Sequence, residues 1–220
     1  MGDAKTWLWD SPLVGWNYLP MIRSDGRLRP LDLQDTGVRR AWLCGLVSRM
    51  PELLGDFAHP DKVRVSTRDK GESACVIQWR DKESLSTLLA FLQQAEVTLV
   101  HAYLDLDCLK EDLEPLVIPW GAELVINMWL DETGSLDLTS DAPVYLRFLL
   151  NADIYAPRSF GDMPDNAILA ALNGPQLAGF LERIENDVPA ELLEIDQDRH
   201  PPGTVGPRGF IAPPGVLQDT

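Results

Sequence analysis

The chain is predicted to fold as an α+β domain, with a central, mostly antiparallel sheet covered by helices and a Pro/Gly-rich C-terminal tail. Three observations predict it. Two pairs of β-rich runs lie close together with turn residues between them, as antiparallel neighbours do. Four segments carry apolar residues at helical spacing. Strands and helices do not alternate in the regular fashion of a parallel sheet. Residues 1–198 read as one domain rather than two split near residue 95, where the charge balance changes, because no linker is found there, and 199–220 form the tail.

The opening stretch is aromatic. Trp7 with Trp9, and Trp16 with Tyr18, alternate as in short extended segments that bury one face, with Pro12, Gly15 and Pro20 between and after them. Residues 35–50 read as a helix capped by Asp35 or Thr36. Val38, Trp42, Leu46 and Met50 form its stripe, Leu43 and Val47 lie beside them, and Arg39, Arg40 and Arg49 sit towards water. Pro51 ends that pattern. His59, before Pro60, falls in a loop.

Val63–Asp69 and Cys75–Arg80 then form a hairpin around Lys70-Gly71-Glu72-Ser73. Asp81 caps the next helix, which carries Leu85, Leu88, Leu89 and Leu92 on one face. Val97–Tyr103 is a strand. Beyond it, Leu106, Leu109, Leu113 and Leu116 are spaced for one face of a short helix, with the acids outside. Ala122–Asp131 is a strand with Leu124, Ile126, Met128 and Leu130 on one face. Its other face, with Val125 and Trp129, is expected to be partly covered. A turn at Glu132-Thr133-Gly134-Ser135 leads towards the strand Val144–Leu150, its antiparallel neighbour.

Residues 165–188 read as helix in two pieces. Asp165 caps the first, which carries Ile168, Leu169 and Leu172, and Asn173-Gly174-Pro175 breaks it. The second starts at Pro175 and buries Leu177, Phe180, Leu181 and Ile184. Five Pro and four Gly in 199–220 predict a tail that is disordered or laid extended along the domain, anchored by Phe210 and Ile211.

The 220 residues are 45% hydrophobic, enough for a sizeable core. No apolar run approaches the roughly 20 residues of a membrane span. The N-terminus does not read as a secretion signal, so a soluble cytoplasmic protein is expected. Three cysteines without CxxC spacing argue against a disulfide framework or a zinc site.

Charge is the most uneven property. Residues 1–95 carry 12 acidic and 13 basic side chains, whereas 96–220 carry 22 acidic and only 6 basic ones. The whole chain has a net charge of −15. Small domains stay soluble at a net charge of magnitude about 2–8. Such a surplus disfavours nucleic acid and anionic membranes as partners and leaves a cationic one, a basic protein or a metal ion.

Catalytic signatures are missing from the sequence. Cys75 with His101, oriented by Asp105, is one conceivable nucleophilic pair, and it requires neighbouring strands in register. Asp105 and Asp107 share a face if extended and could hold a hard cation or act as acid and base. No DxDxDG loop accompanies them, however, and a solvated acidic surface is the better reading. No GxSxG, GxGxxG or P-loop is present. Neither cofactor nor metal is expected.

In size, lack of an export signal, lack of a catalytic motif, and its acidic segments Asp105–Glu114 and Glu182–Asp198, the chain resembles bacterial immunity proteins, which neutralise toxins of interbacterial competition. The resemblance implies a one-to-one cytoplasmic complex with a cognate toxin whose basic active site the acids would cover. Three clusters are candidates for the contact. The first is Asp105, Asp107, Glu111, Asp112 and Glu114. The second is Asp131, Glu132, Asp137 and Asp141. The third is Glu182, Glu185, Asp187, Glu191, Glu194, Asp196 and Asp198. Trp129 or Tyr155 would anchor the centre. The alternatives are a small enzyme built on carboxylates or on Cys75 and His101, and an adaptor in a larger assembly.

Overall fold

The computed structural model describes residues 8, 12–24, 27–79, 81–157, 166–188, 190–197 and 203–211. Trp7, Trp9, Arg80, Asp165, Asp198 and His200 lie outside the described residues. The elements are β1 (Val14–Ser24), β2 (Arg27–Pro30), α1 (Thr36–Ser48), α2 (Met50–Leu54), β3 (Ala58–Thr67), β4 (Gly71–Gln78), α3 (Lys82–Gln94), β5 (Val97–Leu109), β6 (Pro115–Met128), β7 (Val144–Leu150), α4 (Ala167–Asp187), β8 (Ala190–Asp196), β9 (Val205–Gly206) and β10 (Gly209–Phe210). The main sheet runs β2-β1-β7-β6-β5-β3-β4, with β8 also on β1, and every pairing is antiparallel. The chain is an α+β fold. No described helix is long and apolar enough to cross a membrane.

Strand alternation sorts the sheet into two faces. On the inner face, Ala102, Leu124, Phe148 and Trp16 are successive cross-strand neighbours, as are Val100, Ile126, Leu146 and Tyr18, all but fully buried. The described helices cover this face. Phe180 of α4 stacks on Phe57 at 4.7 Å and meets Phe148 edge-on at 4.8 Å, while Leu88 and Leu92 of α3 join the same core. Trp16 also donates its indole N–H to the Gly206 carbonyl, and Val205 is buried, so the β9–β10 hairpin of the Pro/Gly-rich segment packs on the domain.

Both aspartate caps form: Asp35 accepts from Val38 N, and Asp81 from Ser84 N. Val38, expected on the α1 stripe, is exposed, and Arg39, expected in water, is buried. The Arg39 guanidinium donates to the Leu33 and Gly134 carbonyls, which makes its burial tolerable. Helix α1 ends at Ser48, just before Pro51, and Pro51 then lies in the first turn of the short α2. His59 and Pro60 lie in β3, not in a loop.

Two larger corrections follow from partners distant in sequence. The segment 105–114 is not a helix: β5 continues to Leu109, and β6 begins at Pro115. Leu104, Leu106 and Cys108 alternate inward while Asp105 and Asp107 alternate outward, a period-2 pattern that the leucine spacing masked. Helix α4 is continuous through Pro175. Buried Asn173 accepts from Leu109 N at 2.7 Å and donates to the carbonyls of Leu109 and Leu169, riveting the helix to the end of β5 where the break was expected.

Candidate functional site

The outer sheet face carries polar and aromatic side chains in rows. One row reads Val76, Arg64, His101, Val125, Arg147, Asn17, Glu194, and the next Gln78, Lys62, Tyr103, Glu123, Leu149, Gly15, Asp196. Hydrogen bonds tie the rows together. His101 Nε2 lies 2.6 Å from Glu123 Oε2, whose partner oxygen accepts from Asn151. Asn127 donates to the Tyr145 hydroxyl, and Arg147 pairs with Asp196. The hydrogen bond from His101, reinforced by Asn151, holds the Glu123 carboxyl below the usual glutamate range against the opposing effect of burial.

At the β5–β6 hairpin end, the ladder is interrupted twice. Asp61 is an extra residue in β3, since Pro60 faces Leu104 and Lys62 faces Tyr103. In β6, residues 119–121 oppose only Asp105, because Leu104 faces Ala122 and Leu106 faces Ile118. These bulges turn Trp120 to a positive φ of 53°, costly for a bulky residue. Three hydrogen bonds hold it there: Trp120 N donates to Asp105 Oδ1 at 2.9 Å, Asn151 Nδ2 donates to Trp120 O at 3.2 Å, and the indole Nε1 donates to Asp61 Oδ2 at 2.9 Å. Gly121 is required beside it, because a Cβ there would lie 2.5 Å from Leu106 Cδ1. The outcome is an immobilised tryptophan that remains 49% exposed.

Aromatic and charged groups gather around it. The Tyr103 ring is 6.1 Å from Trp120, and Lys62 Nζ sits 5.0 Å from the first ring and 5.3 Å from the second. His59 lies 3.0 Å from Asp107 and 3.7 Å from Asp105. The 110–114 turn closes through Leu113 N donating to Lys110 O, and Leu113 projects 62% exposed. The Lys110 ammonium pairs with Glu114, which raises its pKa. Glu111 and Asp112 are exposed on the same turn. The first acidic cluster therefore assembles at one end, around Trp120, Leu113 and the 45% exposed Val117.

The second cluster lies at the opposite end of the sheet, about 40 Å away at the rise of a 13-residue strand. Its carboxylates build their own loop. Asp131 accepts from Thr133 N, Thr133 Oγ1 and Ser135 N, and Asp137 from Thr139 N and Oγ1. The threonine hydrogen bonds lower both pKa values. Glu132 and Asp141 are exposed nearby, and Trp129, expected to be partly covered, is 51% exposed. The third cluster is divided between α4, where Glu185 pairs with Arg208, and β8, where Glu194 accepts from Asn17.

Tyr155 is no surface anchor: it is 1% exposed and meets Cys108 Sγ at 3.3 Å. Burial pushes the Cys108 thiol up to about 12, leaving it an inert core group. Cys75 and His101 are not strand neighbours either. They flank β3, and Cys75 faces inward opposite Val65 while His101 faces outward opposite Arg64. A hollow of about 450 Å³ lined by Thr67, Asp69, Lys70, Phe91, Gln94, Ala95 and Glu96 contains neither residue.

Trp120 escaped the sequence reading. Its signal was present, as an aromatic residue between Pro119 and Gly121 inside a β-rich run marks a bulge that redirects a side chain. No family model, curated protein or solved structure matches the chain.

Proposed function

We propose that the protein binds a basic protein partner, a cognate toxin, through the Trp120 end of its sheet, and neutralises it by covering a cationic active site. The observation that carries this reading is the over-determined Trp120: a half-exposed aromatic held in a strained conformation by Asp61, Asp105 and Asn151. Backbone strain persists where surrounding structure enforces it, and it concentrates at working surfaces. A rigid tryptophan is also the residue type that dominates interface energetics, because little freedom remains to be lost on docking.

Charge supports the same end. Segments 59–62 and 103–120 hold six carboxylates against two lysines and one histidine. Interfaces of standard size cover about 800 Å² on each partner, roughly 30 Å across, so one compact contact does not span both ends of the sheet. The Trp129 end is the weaker candidate, since among the described residues neither a positive φ nor a side-chain hydrogen bond fixes Trp129 as they fix Trp120.

Co-expression with the product of the adjacent gene, followed by hydrogen exchange on the purified complex, tests the proposal. Protection is expected over 59–62 and 103–120, and Trp120→Ala is expected to weaken the complex at least about tenfold. A harmless neighbour, or protection centred on Trp129, overturns it.

A further inference from the structure

The Tyr103 and Trp120 rings are inclined at 52° and form an open corner, and an ammonium already stands in it: Lys62 Nζ is 5.0 Å and 5.3 Å from the two centroids. We infer that this corner is the binding site for a lysine or arginine side chain of the partner, and that Lys62 occupies it until that side chain arrives. The inference rests on the proposed contact surface and names the group it recognises.

Three features fit the corner to a cation. Ring faces attract positive charge through their quadrupole, and two faces converge on one point. The Trp120 indole N–H is bonded to the Asp61 carboxylate at 2.9 Å, which draws electron density towards the ring face. Trp120 is half exposed, so the corner opens to solvent. Lys62 is suited to leave, being a strongly hydrated ammonium on a flexible four-carbon stem. Arg64, whose guanidinium carbon lies 5.2 Å from the Tyr103 centroid, stays on its own row, so only Lys62 need swing aside.

The test needs no partner protein, so its failure is distinct from failure of the proposed function. Full-length 15N-labelled protein is titrated with tetramethylammonium chloride, against sodium chloride at equal ionic strength. The readout is the Trp120 indole N–H resonance, assigned by its loss in Trp120→Phe. Lys62→Met vacates the corner, and its indole resonance is expected to shift saturably, with affinity about two- to fivefold above that of the unaltered chain. Uncharged tert-butyl alcohol should produce no such shift. A Lys62→Met response no greater than that of the unaltered chain, or one equal for the alcohol, overturns the inference. Should Lys62→Met perturb the amide spectrum globally, Lys62→Gln provides the same comparison.

Discussion

Asp105 Oδ1 accepts the backbone N–H of Trp120 at 2.9 Å, replacing the strand partner that the bulge in β6 removes. One carboxylate thereby satisfies an orphaned amide and fixes the exposed aromatic beside it. Asp105→Ala is expected to cost about 1–2 kcal/mol, and Asp105→Asn, which keeps an acceptor, much less. Urea denaturation of the two variants checks this, and equal losses would show that charge, rather than the hydrogen bond, holds the bulge.

Gly121→Ala should destabilise the fold by about 1–3 kcal/mol, because the new methyl collides with Leu106. Coupling with Leu106→Ala in a double-mutant cycle is the diagnostic measurement. Strict additivity of the two losses would place the strain elsewhere.

Asn173→Ala should cost about 1–3 kcal/mol by leaving Leu109 N and O unpaired, with faster hydrogen exchange at the Leu109 amide. Pro175→Ala acts in the opposite direction. It restores an N–H within α4 and should stabilise by about 1–3 kcal/mol. Thermal unfolding of both variants reads the two signs.

Acid stability should depend on Glu123. Its folded pKa is depressed, chiefly by the hydrogen bond from His101, so the contribution is present above the unfolded glutamate range of about pH 4–4.5 and is lost as pH falls through the lower folded value. Glu123→Gln should flatten this part of the stability profile below about pH 4.5. An unaltered acid limb in the variant would mean that the His101 contact gives Glu123 no folded-state advantage.

Thiol labelling separates the cysteines. Cys44 and Cys75 are partly exposed, whereas Cys108 is buried beside Tyr155. An aromatic disulfide reagent should modify Cys108 only at the rate of global unfolding, slowed further in step with any stabilising substitution. Modification of all three at one rate would contradict its burial.

The elements that could be read from sequence were those whose determinants are local. Asp35 and Asp81 each cap a helix within three residues, and the β3–β4 hairpin forms, although its turn is residues 68–70 and the expected turn residues Gly71, Glu72 and Ser73 lie in β4. The tracts that became β6 and β7 announced their alternation. The site was less visible. Asp105 and Asp107 read as acids outside a short helix, sharing a face only if extended, and the reason for their position is Trp120, which only becomes exposed once a bulge forms opposite Asp105.

By itself, then, the sequence determined the α+β class, the antiparallel pairing and most caps, because hydrophobic period and capping chemistry act over a few residues. Tertiary structure decided the rest: that 105–109 extends and 110–114 turns in place of a helix, that α4 runs through Pro175, that Arg39 is buried and that Trp120 is presented. In each case a polar group finds its partner far along the chain, Asn173 at Leu109, Arg39 at Gly134 and the Trp120 indole at Asp61, and local spacing carries no record of a bond closed across such distances.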